Sequence, residues 1–441
     1  MLLIFMAVAQ SFLDSGFGAA LIQKRDPTPT DICSIFYFNI VVGLVAAGIL
    51  CLAAPLIAAF YNEPILTPLT RALSLTITIN SFSLIQTMIL EKEIDFKTQT
   101  KVSMIAGVAS GIIGVFLAVM GFGVWSLVFQ QVSAALFRCI CLWFFSTWRP
   151  ALLFSLQSLR EMFKFGSRML ASGLLNQIFN NIYLLVIGKL FSATDLGFFT
   201  RAQTLQAIPS ETLSTMVGRV TFPVFSTIQD DPARLKRGLK KALTTLVLVN
   251  FPMMIGLAVI ARPLVLVLLT EKWADCIPFL QLLCLAGLLY PLHLMNLNVV
   301  QALGRSDLFL RLEIIKKILI VINIAVTWRW GVSAIIYGIM VTSAISYYLN
   351  SHYNRVLIGY PIGEQLRDLS SYLIMALLMG MIVYAAGLLP FPNYWFMLLM
   401  QIPIGLLTYA CLCQIFRLEA FMEISHGDWN KLLFSRTGKT G

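Results

Sequence analysis

Arg201 and Arg219 stand 18 residues apart inside an otherwise apolar stretch. Five full helical turns bring them to one face, about 27 Å apart at 1.5 Å per residue. A guanidinium presents a planar fork of donors that matches phosphate bidentately. A pair at the two mouths of a membrane cavity would therefore hold a phosphate or pyrophosphate. The same side chains can instead extend to the two interfaces, and the spacing alone admits both uses. Pro209, between them, predicts a kink, and Glu211 falls near mid-depth. Upstream, Asn176, Asn180 and Tyr183 at i, i+4 and i+7 line one helix face. Gln177 and Asn181 widen that stripe. Such a density of amides predicts a cavity wall that meets sugars; hydrogen bonding between helices is the other use of Asn and Gln in membranes.

Ionised side chains inside a span cost about 2.5–3.5 kcal/mol on insertion scales, so they face water or a partner. Asp14, one turn after Gln10 and just before Gly16 and Gly18, is one such group. With Glu211 it is a candidate for coupling to a proton or another cation. Arg71, near the outer end of its segment, joins the anion-binding set, with Asn80 and Gln86 further along. His293, Asn296 and Gln301 share another segment. The lone histidine reads first as a structural one, whereas Asn296 and Gln301 are assigned to the cavity. Glu313 with Lys316 and Lys317 has the i, i+3 and i+4 spacing of local pairing.

Other chemistries lack their residues. The chain has no GxxxxGK[ST] loop, GxSxG, HExxH or acidic pair of the glycosyltransferase kind. Its eight cysteines form no CxxC, and none stands near a histidine at ligand spacing. No cofactor, metal or disulfide framework is predicted, and the chain reads as a non-enzyme. Energy would come from an ion gradient or from the cargo's own.

These residues sit in a chain that is 58% hydrophobic and 12% charged, with mean hydropathy +0.83. Soluble domains carry about 25% charged residues. Thirteen segments are long enough for about 30 Å of hydrocarbon: 1–22, 32–60, 66–91, 101–120, 123–147, 165–190, 195–228, 237–262, 275–303, 308–329, 331–357, 368–389 and 394–417. The 32 Lys and Arg concentrate in and beside alternate gaps and in the tail. Cytoplasmic loops are the Lys/Arg-rich ones, so the C-terminus is expected inside. The net charge of +11 then serves orientation and anionic headgroups, not nucleic acid. Thirteen spans with an inside C-terminus place Met1 outside without a preceding signal, so a first helix is expected to be missing. The amphipathic stretch 148–164 divides an N-terminal lobe (1–147) from a second six-helix lobe (165–357). A helix pair (358–417) and a tail (418–441) follow. The run 229–241, QDDPARLKRGLKK, reads as a helix N-terminus whose cationic face lies on inner headgroups, with an anionic-lipid site as the sharper alternative.

At these segments the chain resembles the polysaccharide transporters, the Wzx-type and colanic- and teichuronic-acid exporter group, of the multidrug/oligosaccharidyl-lipid/polysaccharide exporter superfamily. The resemblance is carried by DSGFGAALIQKRD (14–26), LGFFTRAQTLQAIP (196–209), FPVFSTIQDDPARLKRGLKK (222–241) and the stretch 269–317 with LTEKWADCIPFLQLL and QALGRSDLFLRLEIIKK. It implies an all-α polytopic fold of fourteen helices in two pseudo-repeated lobes around a central cavity, of which this chain shows about thirteen. It further implies flipping of an undecaprenyl-pyrophosphate-linked oligosaccharide across the bacterial inner membrane by alternating access. Membrane lipids and other polysaccharide-assembly proteins are the further partners expected. Arg201 in TRAQ and Asp231 with Pro232 in DDP fall on the group's motifs. A multidrug antiporter of the same fold, a membrane glycan polymerase or ligase, and a non-transporting truncated copy are the alternative readings. The basic bias within the spans argues against the first, and the minimal outer loops against the second.

Overall fold

Every backbone polar group inside hydrocarbon must find its partner within the chain, and a helix does so with local bonds alone. The computed structural model describes residues 1–13, 28–93 and 95–425, and all the regular secondary structure among them is helical. Asp14 lies outside them, as does the side chain of Arg219. Two compact units divide the chain, Met1–Lys189 and Leu190–Gly441.

The first unit holds α1 (Leu3–Leu13), α2 (Pro29–Tyr61), α3 (Leu66–Ser81), α4 (Leu84–Lys92), α5 (Phe96–Val119), α6 (Val124–Phe145) and α7 (Leu156–Leu190), which ends at the boundary. The second holds α8 (Ala193–Thr227), α9 (Pro232–Val259), α10 (Ala261–Leu269), α11 (Cys276–Gly287), α12 (Tyr290–Ala302), α13 (Ser306–Thr327), α14 (Val332–Ile358), α15 (Ile362–Ala386), α16 (Tyr394–Ile415) and α17 (Glu419–Ser425). Twelve of the thirteen expected spans coincide with one helix or a tandem pair, and the described part of the first is helical from Leu3 to Leu13. Eight are long and apolar enough to cross a membrane by themselves, and the bent pair α3–α4 makes a ninth. Helices α7, α8 and α13 carry amides and charges that lower their hydropathy, and the described part of α1 is short. Helix α7 begins at Leu156, inside the stretch expected as a linker.

Helix ends are closed by the chain's own side chains. Thr28 and Asp31 form a reciprocal capping box at the start of α2, and Ser192 and Asp195 form another at α8. Asp231 accepts from the Arg234 amide at 3.0 Å, with Pro232 in the first turn of α9, as the DDP motif predicts.

Helix α8 runs unbroken through Pro209, whereas two other spans break. Between α3 and α4 the axis bends by 48°, and α11 gives way to α12 at Leu288–Leu289. A broken helix frees carbonyls that lipid cannot satisfy. Trp143 Nε1 donates to the freed carbonyl of Phe82 at 3.0 Å. Asn250 Nδ2 donates to that of Gly287 at 3.2 Å, and Ser210 Oγ at 3.4 Å. The two breaks fall in the third and ninth expected spans.

The core of the second unit is built on α9, whose Leu235, Leu239, Leu243 and Val247 are fully buried. Its basic N-terminal run is not a free cationic face, which corrects the headgroup reading for three of its five charges. Lys236 pairs with Glu364 at 2.7 Å, Lys240 with Asp368 at 2.8 Å and Lys241 with Glu423 at 2.9 Å. Arg234 and Arg237 remain exposed. The i, i+4 spacing of Lys236 and Lys240 matches that of Glu364 and Asp368, so the pairs form a ladder from α9 to α15. Asp368 also accepts from Tyr360 Oη at 2.8 Å. Burial pushes the Tyr360 phenol up, and neighbouring Asp368 adds to the shift, so the hydroxyl stays a donor. Lys240→Ala, which breaks a part-exposed pair, is expected to cost at most about 1 kcal/mol. Asp368→Ala also strips the buried phenol of its acceptor and should cost about 1–3 kcal/mol more. Thermal melts of the two variants in detergent order them.

Candidate functional site

The sequence-predicted residues divide between the units. Arg71, Asn176, Asn180, Asn181 and Tyr183 belong to the first, and Arg201, Glu211, Arg219, Asn296 and Gln301 to the second.

In the first unit Arg71 is exposed on α3. On α7, Asn176 and Asn180 are exposed one turn apart, and Tyr183 is half-buried on the same stripe. Asn181 turns its amide onto its own helix, donating to the Gln177 carbonyl at 2.9 Å. The stripe thus presents two amides outward and uses a third locally. Gln10 accepts from Asn80 at 3.1 Å, tying α1 to α3, while Gln86 is fully buried with both amide atoms unpartnered. An apolar recess of about 930 Å³ opens between α1, α2 and α7, lined by Phe5, Phe12, Ile49, Phe60, Ile178 and Leu185 among others.

In the second unit Arg201 lies one turn after Phe198 on the first half of α8. Its guanidinium sits over the Trp273 ring, 5.6 Å from the centroid. Phe198 meets the same ring edge-on at 5.8 Å. Trp273, expected as an interfacial anchor, is therefore also the surface that orients Arg201. The guanidinium remains exposed, with its donors available to an anion. Glu211 is exposed near the middle of α8. The described side chains do not include Arg219.

Asn296 and Gln301, five residues apart on α12, have different surroundings. Gln301 is exposed at the helix end. Asn296 has no exposure, and its amide is engaged by protein. Its Nδ2 donates to Gln365 Oε1 at 3.1 Å, and its Oδ1 accepts from Gln365 Nε2 at 3.0 Å and Asn354 Nδ2 at 2.6 Å. Tyr347 Oη completes the network on Gln365 Oε1 at 3.2 Å. Gln365 on α15 and Asn354 and Tyr347 on α14 escaped sequence reasoning because nothing along the chain brings those two helices to Asn296 of α12. Glu313 and Lys316 pair as their spacing predicts. Among the described residues no three His, Cys, Asp or Glu converge as a metal would require.

Residues 1–278 match the model of a family described as polysaccharide biosynthesis protein. The chain belongs to that family. It is 31% identical over 303 residues to TuaB of Bacillus subtilis, a teichuronic acid biosynthesis protein, covering 68% of this chain and 62% of TuaB. It is 26% identical over 379 residues to WzxC of Escherichia coli, a lipopolysaccharide biosynthesis protein, covering 85% and 72%. With ExoT of Rhizobium meliloti, a succinoglycan biosynthesis transport protein, identity is 30% over 279 residues, covering 63% and 56%. The matched stretches thus span less than two thirds of TuaB and of ExoT. Among solved structures, the lipid II flippase MurJ, inward closed, aligns with TM-score 0.74 at 16% identity, covering 97% of this chain and 92% of that one. An outward-facing multidrug MATE transporter aligns at 0.56, with 17% identity and 81% of this chain covered. These two likenesses are of fold. The chain is a multi-pass membrane protein of this family, with only helices among its described residues.

Proposed function

We propose that this protein flips a lipid-linked oligosaccharide, an undecaprenyl-pyrophosphate-borne repeat unit of lipopolysaccharide, capsule or exopolysaccharide, across the bacterial inner membrane. It moves the cargo without altering it, by alternating access of two lobes about a central cavity, with the C-terminus in the cytoplasm. The observation that carries this reading is a single conjunction. A chain of a polysaccharide biosynthesis family shares, over 97% of its length, the fold of the lipid II flippase MurJ. Kinship to a succinoglycan biosynthesis transport protein supports it. So do the interruptions of two of its spans, since broken helices recur in transporter binding regions.

Arg71, Arg201 and Arg219 would meet the anionic pyrophosphate or acidic sugars. Asn176, Asn180, Asn181, Tyr183, Asn296 and Gln301 would meet the saccharide, Asn296 only in a conformation that opens its network. Asp14 and Glu211 would couple transport to a cation. The apolar recess beside α7 suits an acyl or polyprenyl chain.

Flipping of a fluorescent undecaprenyl-pyrophosphate saccharide in proteoliposomes tests the reading. The wild-type chain should flip it. Arg201→Ala and Arg219→Ala, each removing one charge-assisted contact of about 1.5–3 kcal/mol, should slow it about ten- to a hundredfold. Trp273→Leu, which keeps the charge and removes its platform, should slow it less. Rates unchanged in both arginine variants would discard the anion site, and no flipping by a folded wild type would discard the function.

A further inference from the structure

The apolar recess of the first unit ends at a cation. Its walls are Phe5 and Phe12 of α1, the face of α2 up to Phe60, and Ile178 and Leu185 of α7. One turn beyond Leu185, in the last turn of α7, stands Lys189. Its ammonium donates to the Phe60 carbonyl and lies over the Phe60 ring, 4.6 Å from the centroid. Phe60 is itself the last lining residue of α2. The next residue, Tyr61, meets Phe5 edge-on with centroids 6.2 Å apart, so α1 closes on α2 at this same end.

A lysine near the end of a span ordinarily extends to the interface along no fixed path. Lys189 is instead held by a carbonyl and a ring of another helix, at the mouth of the recess. That carbonyl belongs to the last turn of α2, where carbonyls have no partner within the helix. An ammonium has three donors, and one is used there. The side chain stays exposed, with its other donors available to an anion.

Every lining residue of the recess is apolar, so a charged head group has its place at the Lys189 end. We infer that the recess is a binding site for an anionic phospholipid of the bilayer, with acyl chains along α2 and the phosphate on Lys189. The volume of about 930 Å³ takes roughly 30 groups at about 30 Å³ for one of water size. That is room for hydrocarbon chains, far more than an ion or a water needs. The site does not depend on the flippase reading.

The two faces of α7 favour bilayer lipid over the cargo as the occupant. Ile178, Leu185 and Lys189 stand at i, i+7 and i+11, on one side of the helix. At about 100° per residue, Asn180 and Tyr183 lie on the opposite side. A lipid-linked saccharide with its chain in the recess would have the helix between its phosphate and the amides assigned to its sugar. A phospholipid carries no saccharide and meets no such conflict. The bilayer also presents it at a far higher concentration than any biosynthetic intermediate, and mass action favours the abundant ligand.

Native mass spectrometry of the full chain released from detergent tests the site. The probes are dioleoyl phosphatidylglycerol, dioleoyl phosphatidylcholine and undecaprenyl phosphate. Wild type should retain phosphatidylglycerol about fivefold better than phosphatidylcholine, which is the effect of one lysine at a membrane surface. Lys189→Gln should abolish that preference. Val45→Trp, which places an indole in the recess from an exposed position, should lower retention of both phospholipids. The lysine variant, also at an exposed position, decides alone if the tryptophan variant fails to fold in a thermal melt. Equal retention of the two phospholipids by wild type, a preference that survives Lys189→Gln, or retention unchanged in a folded Val45→Trp would each overturn the proposal. Tighter retention of undecaprenyl phosphate than of phosphatidylglycerol would overturn it in favour of the cargo's chain. A lipid-free dimer that Val45→Trp dissociates would overturn it in favour of a second copy.

Discussion

Asn296→Leu is expected to lower the stability of the cargo-free protein by about 3–5 kcal/mol. The substitution strips Gln365 of both its partners on Asn296 and leaves Asn354 Nδ2 to the Asn296 backbone carbonyl alone. Gln365 and Asn354 are fully buried, so no water replaces what they lose, and each stranded amide group costs about 1–3 kcal/mol. Gln365→Leu should cost a similar amount, because it strands Tyr347 Oη and the Asn296 amide together. The double variant should cost less than the sum, since removing both partners of a buried pair leaves fewer orphans. Thermal or denaturant melts in detergent, without cargo, measure all three. The result also separates two roles for Asn296. A residue reserved for sugar would leave the cargo-free melt unchanged and slow only flipping.

Gly43→Leu should be at least as severe, and for a steric reason. A Cβ added at Gly43 would lie 2.5 Å from Ser81 Cβ and 3.0 Å from Leu13 Cδ2. Position 43 is where α2 lies against α3 and the end of α1. Small residues at such crossings let backbones approach, which is how helices associate when lipid removes the hydrophobic drive. Overpacking a fitted site costs about 1–3 kcal/mol for added methylenes, and leucine brings three carbons beyond the one that already collides. The expected outcome is a chain that accumulates poorly and melts at least several degrees lower. Gly48, on the same helix, is the control, since a Cβ there meets nothing within 4 Å. Gly48→Leu should be near neutral. Equal accumulation and melting of the two variants would refute the tight α2–α3 contact.

The sequence by itself determined the helices, for a reason particular to membranes. About 20 apolar residues in a row leave the backbone no water to bond, so thirteen such stretches predict helices, and twelve are found as a helix or tandem pair. Helix starts were legible at Asp231-Pro232, because an acceptor side chain before proline closes a first turn wherever it occurs. The Glu313–Lys316 pair was legible because both partners lie on one helix. What the sequence left open is whatever joins separate helices. The basic run after Pro232 reads as free charge until α15 brings Glu364 and Asp368 against it. Asn296 reads as cavity lining until Gln365 and Asn354, 69 and 58 residues away, close on it. Arg201 gains its orientation from Trp273. Burial and hydrogen bonding depend on which faces meet, and only the tertiary packing of helices decides that.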